Sequence, residues 1–309
     1  MPTLLLTHAA CARHDPGAWH PERPARLGAV VQALQQPGFE ALVWQEAPQV
    51  SLEQIRLAHP GDFPERVLAL IPEEGHAGVD VDTTVSPDSG EAALRAAGAL
   101  VAGVDAVMAD QATNAFCAVR PPGHHAEPDV AMGFCLFNNV GIAARHAQKR
   151  HGLRRIAVVD FDVHHGNGSQ AMFWDDAGVF FASSHQYPLY PGTGRREERG
   201  AHGQIVNAPL PPGTGSEHFR NAWSEIILPS LDRFAPELIL ISAGFDGHLL
   251  DPLANLELGE ADYTWVTGEL KRLAGRHAKG RIVSTLEGGY HLEALAASAA
   301  AHVQALMAD

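Results

Sequence analysis

The chain has 309 residues, 46% of them hydrophobic, and carries 22 Lys and Arg against 36 Asp and Glu, a formal charge of -14. That apolar fraction supplies a core, while the acidic balance argues against nucleic-acid phosphates or anionic membranes as partners and suits a cationic substrate. Cys11, Cys117 and Cys135 are odd in number and widely spaced, which excludes a disulfide framework. No apolar run approaches the roughly 18–20 residues of a membrane span, so a soluble, cytoplasmic protein is expected.

From the N-terminus, residues 3–7 form a first strand; no basic residues precede it as they would a signal peptide. A helix over 24–36 starts with Pro24 in its first turn, aligns Leu27, Val30, Val31 and Leu34 on one stripe, and stops at Pro37-Gly38. A helix over 90–109 leads to a strand at 115–119. The next helix, 139–150, runs into the basic stretch 146–151 and Gly152, a left-handed cap at a terminus that favours positive charge. Strands at 156–159 and 179–183 follow, then an irregular stretch, 186–212, whose Pro, Gly and Tyr content predicts an ordered loop lining a site. A helix at 217–233, a strand at 238–242, a helix at 260–277, a strand at 282–285 and a helix at 292–307 complete the chain. The alternation has no linker and no internal repeat, which predicts one α/β domain with a mostly parallel central sheet flanked by helices.

The polar clusters sit at the ends of those strands. Arg120-Pro121-Pro122-Gly123-His124-His125 follows one strand, Asp160–His165 a second, His185 a third, Ala243-Gly244-Phe245-Asp246 a fourth and Glu287-Gly288-Gly289-Tyr290 a fifth. In a parallel sheet the carboxyl ends share one edge, where ligands bind. Within DFDVHHG, continued extension would put Asp160, Asp162 and His164 on one side and Val163 and His165 on the other. Two carboxylates beside an apolar strand need a cation, a basic partner or a proton. Asp162, His164 and Asp246 together offer three N/O ligands, the open arrangement of catalytic zinc that ferrous iron or manganese also accepts. His124, His125 and the Tyr290 hydroxyl are placed to move a proton and stabilise an oxyanion. His59, His76, His202, His218 and His277 fit surface or capping positions better.

RPPGHHA, GFCLFNN, VVDFDVHHGNGSQ, SSHQYPLYPGTG, SAGFDGHLLDPL and LEGGYHLEAL, preceded by HPERPARL, together resemble the motif series of the histone deacetylase superfamily, in its class II and bacterial branch. The resemblance spans nearly the whole chain and implies a three-layer, arginase-like fold and an amidohydrolase with one zinc per chain on Asp162, His164 and Asp246. It implies that His125 is the general base and acid, supported by Asn167, that His124 pairs with Asp160, and that Tyr290 polarises the scissile carbonyl. It also implies potassium at Asp160, Asp162, His164, Ser183 and Ser184, and a second, weaker position at Phe173, Asp176, Val179 and Asn207. Gly133, Phe134 and Tyr190 would line a narrow acyl-lysine tunnel, with Asp82, or else Asp80, at its rim. The implied substrate is an acetylated lysine in a peptide or protein, or a small acetylated amine. An acetylpolyamine amidohydrolase is the alternative, opposed by Leu253 where a polyamine-selective relative has Glu. A binuclear manganese ureohydrolase would need a DxHxD pattern, which His165 interrupts; a non-catalytic binding protein is the remaining reading. His291 after the tyrosine and Asp88 depart from the family pattern.

Overall fold

Buried apolar runs become the interior strands. The computed structural model describes residues 1–308, with strands β1 (Thr3–Thr7), β2 (Val43–Glu46), β3 (Ala77–Gly78), β4 (Thr84–Val85), β5 (Asn114–Cys117), β6 (Ile156–Asp160), β7 (Val179–Gln186), β8 (Ile205–Leu210), β9 (Leu238–Ala243) and β10 (Ile282–Leu286). Eight of them form one sheet in the order β2-β1-β5-β10-β9-β6-β7-β8, and every pairing in it is parallel. β3 and β4 form a separate antiparallel pair.

Helices cover both faces, as the side-chain alternation of one pair of strands demonstrates. Ala115 lies beside Val283 and Phe116 beside Ser284, and neighbours along a strand point to opposite faces. Helix Ser89–Met108 lays Gly103 on Val283 and Ala115, so closely that a Cβ there would come within 3.0 Å of Val283. On the other face, His302 of helix Leu292–Met307 meets the Phe116 ring at 5.6 Å and the Ser284 hydroxyl at 2.8 Å. Helix Asn139–His151 packs beside Ser89–Met108, and helices Ala25–Leu34 and Glu260–His277 pack beside Leu292–Met307. The three-layer, single-domain expectation holds.

The differences lie at the margins. β8 falls inside the stretch expected to be irregular; it tolerates Pro209 because it is an edge strand. β2, the other edge, is exposed at every residue and carries no buried-strand pattern. The helix expected at 217–233 is three segments, Ser216–Ala222, a π turn at Trp223–Ile227 and Leu228–Phe234; Pro229, which lacks an N–H, sits just beyond the π turn. Gly152 caps its helix at φ 67 as expected.

Candidate active site

The carboxyl edge of the sheet collects the strand-end clusters. After β6 the chain turns, and Asp162 and His164 meet Asp246, which follows β9: their ligand atoms all lie within 4.8 Å of one another, with all three residues buried. His164 Nδ1 is 3.2 Å from Asp162 Oδ1 and 3.1 Å from Asp246 Oδ2. The other oxygens are tied to backbone N–H groups, Asp162 Oδ2 to Gly288 at 2.8 Å and Asp246 Oδ1 to Val163 at 2.9 Å. Gly244 and Gly288 form the cradle. A Cβ on Gly244 would lie 2.0 Å from Asp162 Oδ2, and one on Gly288 1.9 Å from Asp246 Oδ2, so only glycine lets the backbone approach the carboxylates.

The electrostatics of this nest suit a cation. Burial opposes a charge on His164, but its bonds to Asp162 and Asp246 push the imidazole up to about 10. Burial likewise works against Asp162, yet the charge of His124 and the His164 bond hold it below the usual carboxylate range. Positive charge between the three groups is therefore stabilised, and the donor set, two carboxylates and an imidazole on buried residues, fits a zinc-type ion.

The two adjacent histidines are set differently by their partners. His124 Nδ1 lies 2.9 Å from Asp160 Oδ2; despite burial, Asp160 and Asp162 hold it well above the ordinary histidine range. His125 Nδ1 donates to Asn167 Oδ1 at 2.8 Å, and Asn167 Nδ2 donates to Glu127 Oε1 at 2.8 Å, which fixes the amide's orientation. The His125 proton is thus on Nδ1, leaving the Nε2 lone pair free. Burial and the charge of His124 push His125 well below the ordinary range.

A pocket of about 190 Å³ opens onto this floor, lined by Asp82, His125, Gly133, Phe134, His164, Leu189, Tyr190, Leu253 and Tyr290. Gly133 has φ 59, and a Cβ on it would come within 2.6 Å of the His125 ring. Asp82 Oδ1 accepts from Gly133 N at 3.1 Å and Thr83 Oγ1 at 3.0 Å, which locks the rim to the wall. Asp80 instead turns back on its own loop, accepting from the N–H groups of Asp82 and Thr83.

A family profile described as "Histone deacetylase domain" matches residues 20–306. The chain belongs to the histone deacetylase family. This deacetylase-family chain is 41% identical to "Histone deacetylase 14, chloroplastic" of Arabidopsis thaliana, over 99% of its own length and 77% of the relative's. It is 40% identical to "Histone deacetylase-like amidohydrolase" of Pseudomonas aeruginosa, over 93% of its own length and 77% of the relative's. Among solved structures, the HDA15 HD domain superimposes with a TM-score of 0.93 at 32% identity, covering 99% of this chain and 88% of that one. The deacetylase family assignment makes the chain a hydrolase of the deacetylase and amidohydrolase type.

Of the residues picked out in the deacetylase sequence, Asp162, His164 and Asp246 form the floor, and Asp82, His125, Gly133, Phe134, Tyr190, Leu253 and Tyr290 line the pocket. Asp160, His124 and Asn167 stand directly behind. Ser183 lies beside Asp160 in the sheet with its hydroxyl 2.9 Å from His185 Nδ1, and Ser184 Oγ accepts from Trp223 Nε1 at 3.0 Å. His165 turns away from the cluster, to Thr193 Oγ1 at 2.8 Å and Gln170 Oε1 at 3.1 Å. His59 is a correction: not a surface or capping residue, it is fully buried, 3.1 Å from the Pro128 carbonyl and accepting from Asn138 N at 2.8 Å. His291 caps the last helix, with Nδ1 accepting from Ala294 N; Asp88 pairs on the surface with Arg13 at 2.8 Å.

Sequence reasoning missed the support of the tyrosine loop. Arg26, fully buried, donates to the carbonyls of Gly289 and Glu287 at 2.6 and 2.5 Å and lies 4.8 Å from the centre of the Tyr290 ring. Glu22, also buried, joins Arg26 to Arg120. Asp251 accepts from Tyr290 N at 2.7 Å, and Glu287 accepts from Gly123 N at 2.6 Å, tying that loop to the histidine pair. HPERPARL and RPPGHHA stand out as motifs, but nothing in their spacing pairs Glu22 with Arg120.

Proposed function

We propose that this chain is a zinc-dependent deacetylase, removing an acetyl or acyl group from an N-acetyl-lysine-like amide. The observation that carries the reading is the narrow pocket with apolar walls, Phe134, Tyr190 and Leu253, ending on His125, His164 and Tyr290. Such a pocket suits an unbranched alkyl chain with a polar head at its floor.

Zinc on Asp162, His164 and Asp246 would activate a water and polarise the amide carbonyl. His125 takes a proton at Nε2, because its Nδ1 proton is committed to Asn167, and returns it to the departing amine. His124, held positive by Asp160 and Asp162, favours the negative charge that develops beside it. Burial keeps Tyr290 well above the ordinary tyrosine range despite Arg26 nearby, so its hydroxyl keeps the proton it donates to the carbonyl oxygen as that becomes an oxyanion. The proposal includes potassium at Asp160, Asp162, His164, Ser183 and Ser184, where it would offset the second of two adjacent buried carboxylates. It also includes a second, weaker position at Phe173, Asp176, Val179 and Asn207, where Asn207 Oδ1 is buried with no hydrogen-bond partner among the described residues. A cytoplasmic location rests on three buried, unpaired cysteines; no helix among the described residues is long and apolar enough to cross a membrane.

The apolar Leu253 wall favours acyl-lysine over acetylated polyamines. Both His165 nitrogens are engaged away from the floor, which disfavours a two-manganese ureohydrolase. The test is turnover of acetyl-lysine peptides against acetylputrescine and acetylspermidine, with zinc measured on the same sample. Tyr290→Phe should lose about 10²–10³ in kcat while retaining zinc. Strong preference for the polyamines, two manganese ions per chain, or full activity of Tyr290→Phe would each overturn the reading.

A further inference from the structure

Outside the pocket lining, a second group of metal-type donors converges between two helices that flank the sheet. Helices Ser89–Met108 and Asn139–His151 pack side by side there. Asp105 Oδ1 on the first lies 2.8 Å from His146 Nε2 and 2.6 Å from His151 Nε2 on the second. We propose that Asp105, His146 and His151 form a second metal site, which takes a divalent transition-metal ion of the zinc type and clamps the two helices together.

The donor set decides the class of ion. Two imidazole nitrogens and one carboxylate suit zinc, cobalt, nickel or copper, whereas magnesium and calcium prefer all-oxygen shells. The geometry is close to that required. The three donor atoms lie within 4.8 Å of one another, and the two rings, with centroids 5.7 Å apart, are inclined at 75° rather than stacked, so they approach the shared oxygen from different directions. Donors on a tetrahedral ion with bonds of about 2.0–2.1 Å stand about 3.3 Å apart, so each nitrogen must separate from the oxygen by about 0.5–0.7 Å. His146, with its side chain only 8% exposed, is the fixed member; Asp105 at 50% and His151 at 20% have room to give. His151 is also the last residue of its helix.

Binding changes the protons in a defined way. Each Nε2 now directs a hydrogen at Asp105; on coordination a neutral ring carries that proton on Nδ1 instead, and a charged ring releases it to solvent. The ion therefore competes with protons and binds less well in acid. Because its ligands come from two helices far apart in sequence, it binds the folded chain and raises its stability.

The experiment is zinc titration of the chelator-stripped full chain, followed by calorimetry, metal analysis and thermal unfolding. The wild type should take one zinc per chain more than either His151→Gln or Asp105→Asn, and only the wild type should gain the corresponding rise in Tm. Both variants should keep wild-type turnover. Asp246→Asn reads the pocket ion separately: it should lose that ion and keep the one at Asp105. With copper in that variant, electron paramagnetic resonance should show two nitrogen ligands, lost on adding His151→Gln. A zinc count and Tm response unchanged by both His151→Gln and Asp105→Asn overturn the site.

Discussion

Gly288→Ala is the sharpest test of the proposed zinc floor. Gly288 does not have the positive φ that would strain an alanine backbone, so the methyl group is the whole perturbation. Its Cβ would stand 1.9 Å from Asp246 Oδ2 and 2.6 Å from Asp162 Oδ2, where real Cβ contacts do not fall below 3.0 Å. Asp246 Oδ2 must therefore retreat by at least about 1.1 Å, several times the roughly 0.2 Å by which metal–ligand distances vary. Asp246 cannot simply swing aside, because its other oxygen holds Val163 N at 2.9 Å. Disturbing even the outer partners of a metal site costs 10–100-fold in affinity; moving a ligand itself should cost about 100-fold or more. Zinc affinity by chelator competition and kcat/KM should fall together. Gly268→Ala is the control, since Gly268 is an exposed helical glycine with nothing within 4 Å of its Cβ position. It should keep zinc and gain up to about 1 kcal/mol of stability from helix propensity. Wild-type zinc affinity in Gly288→Ala would refute the cradle argument.

Asn167→Asp puts a carboxylate on His125 Nδ1 in place of a neutral amide, which favours the protonated ring. The acidic limb of the kcat/KM profile should move about 1 pH unit or more upward, and an unmoved limb would separate His125 from the base role. Leu253→Glu adds a carboxylate to the pocket wall and should raise the ratio of acetylspermidine to acetyl-lysine turnover; a ratio that stays constant removes Leu253 as a determinant. Acid stability follows from three histidines that burial holds neutral, His59 and His185 down to about 4 and His302 to about 3. Their folded values lie below the unfolded 6.5, so as pH falls from 6.5 towards 4 the unfolded chain takes up protons that the folded chain refuses. Their contribution is complete above pH 6.5 and declines below it, by up to about 3 kcal/mol each for His59 and His185 and about 5 kcal/mol for His302. The urea midpoint should fall between pH 7 and 5; an unchanged midpoint sinks this assignment.

What could be read from the chain alone follows the physics of each element. β6, β9 and β10 were legible because they are buried on both faces and form short continuous apolar runs. β2 and β8 were not, since an edge strand tolerates exposure and proline and so loses the signature. The short helices Ala9–Arg13, Leu52–Ile55, Phe63–Ala69 and Asn167–Met172 span too few turns to show a period. At the site, residue types at strand ends were enough to collect the floor, because a parallel sheet brings those ends together whatever lies between them. Pairings across unrelated loops carry no such rule: Glu22 with Arg120 is 98 residues distant in sequence, and Asp251 reaches the Tyr290 N–H from 39 residues away.

His164 and His165 show where that boundary falls. They are the same residue type, adjacent, in the same apolar-flanked motif, and composition cannot tell them apart. Side-chain alternation separates them, and the structure keeps the separation even though regular pairing ends at Asp160. His164 reaches Asp162 and Asp246, while His165 is held by Thr193 and Gln170. The side of the chain and the meeting of the strand ends were therefore readable, but the close approach of the backbone was not, because it depends on groups that add no donor of their own. A methyl group on Gly244 would strike Asp162 Oδ2 at 2.0 Å, so the ligand nest closes only where the facing backbone has no side chain. The liganding residues can be recognised by their chemistry; the glycines that let them meet are recognisable only by the space they leave.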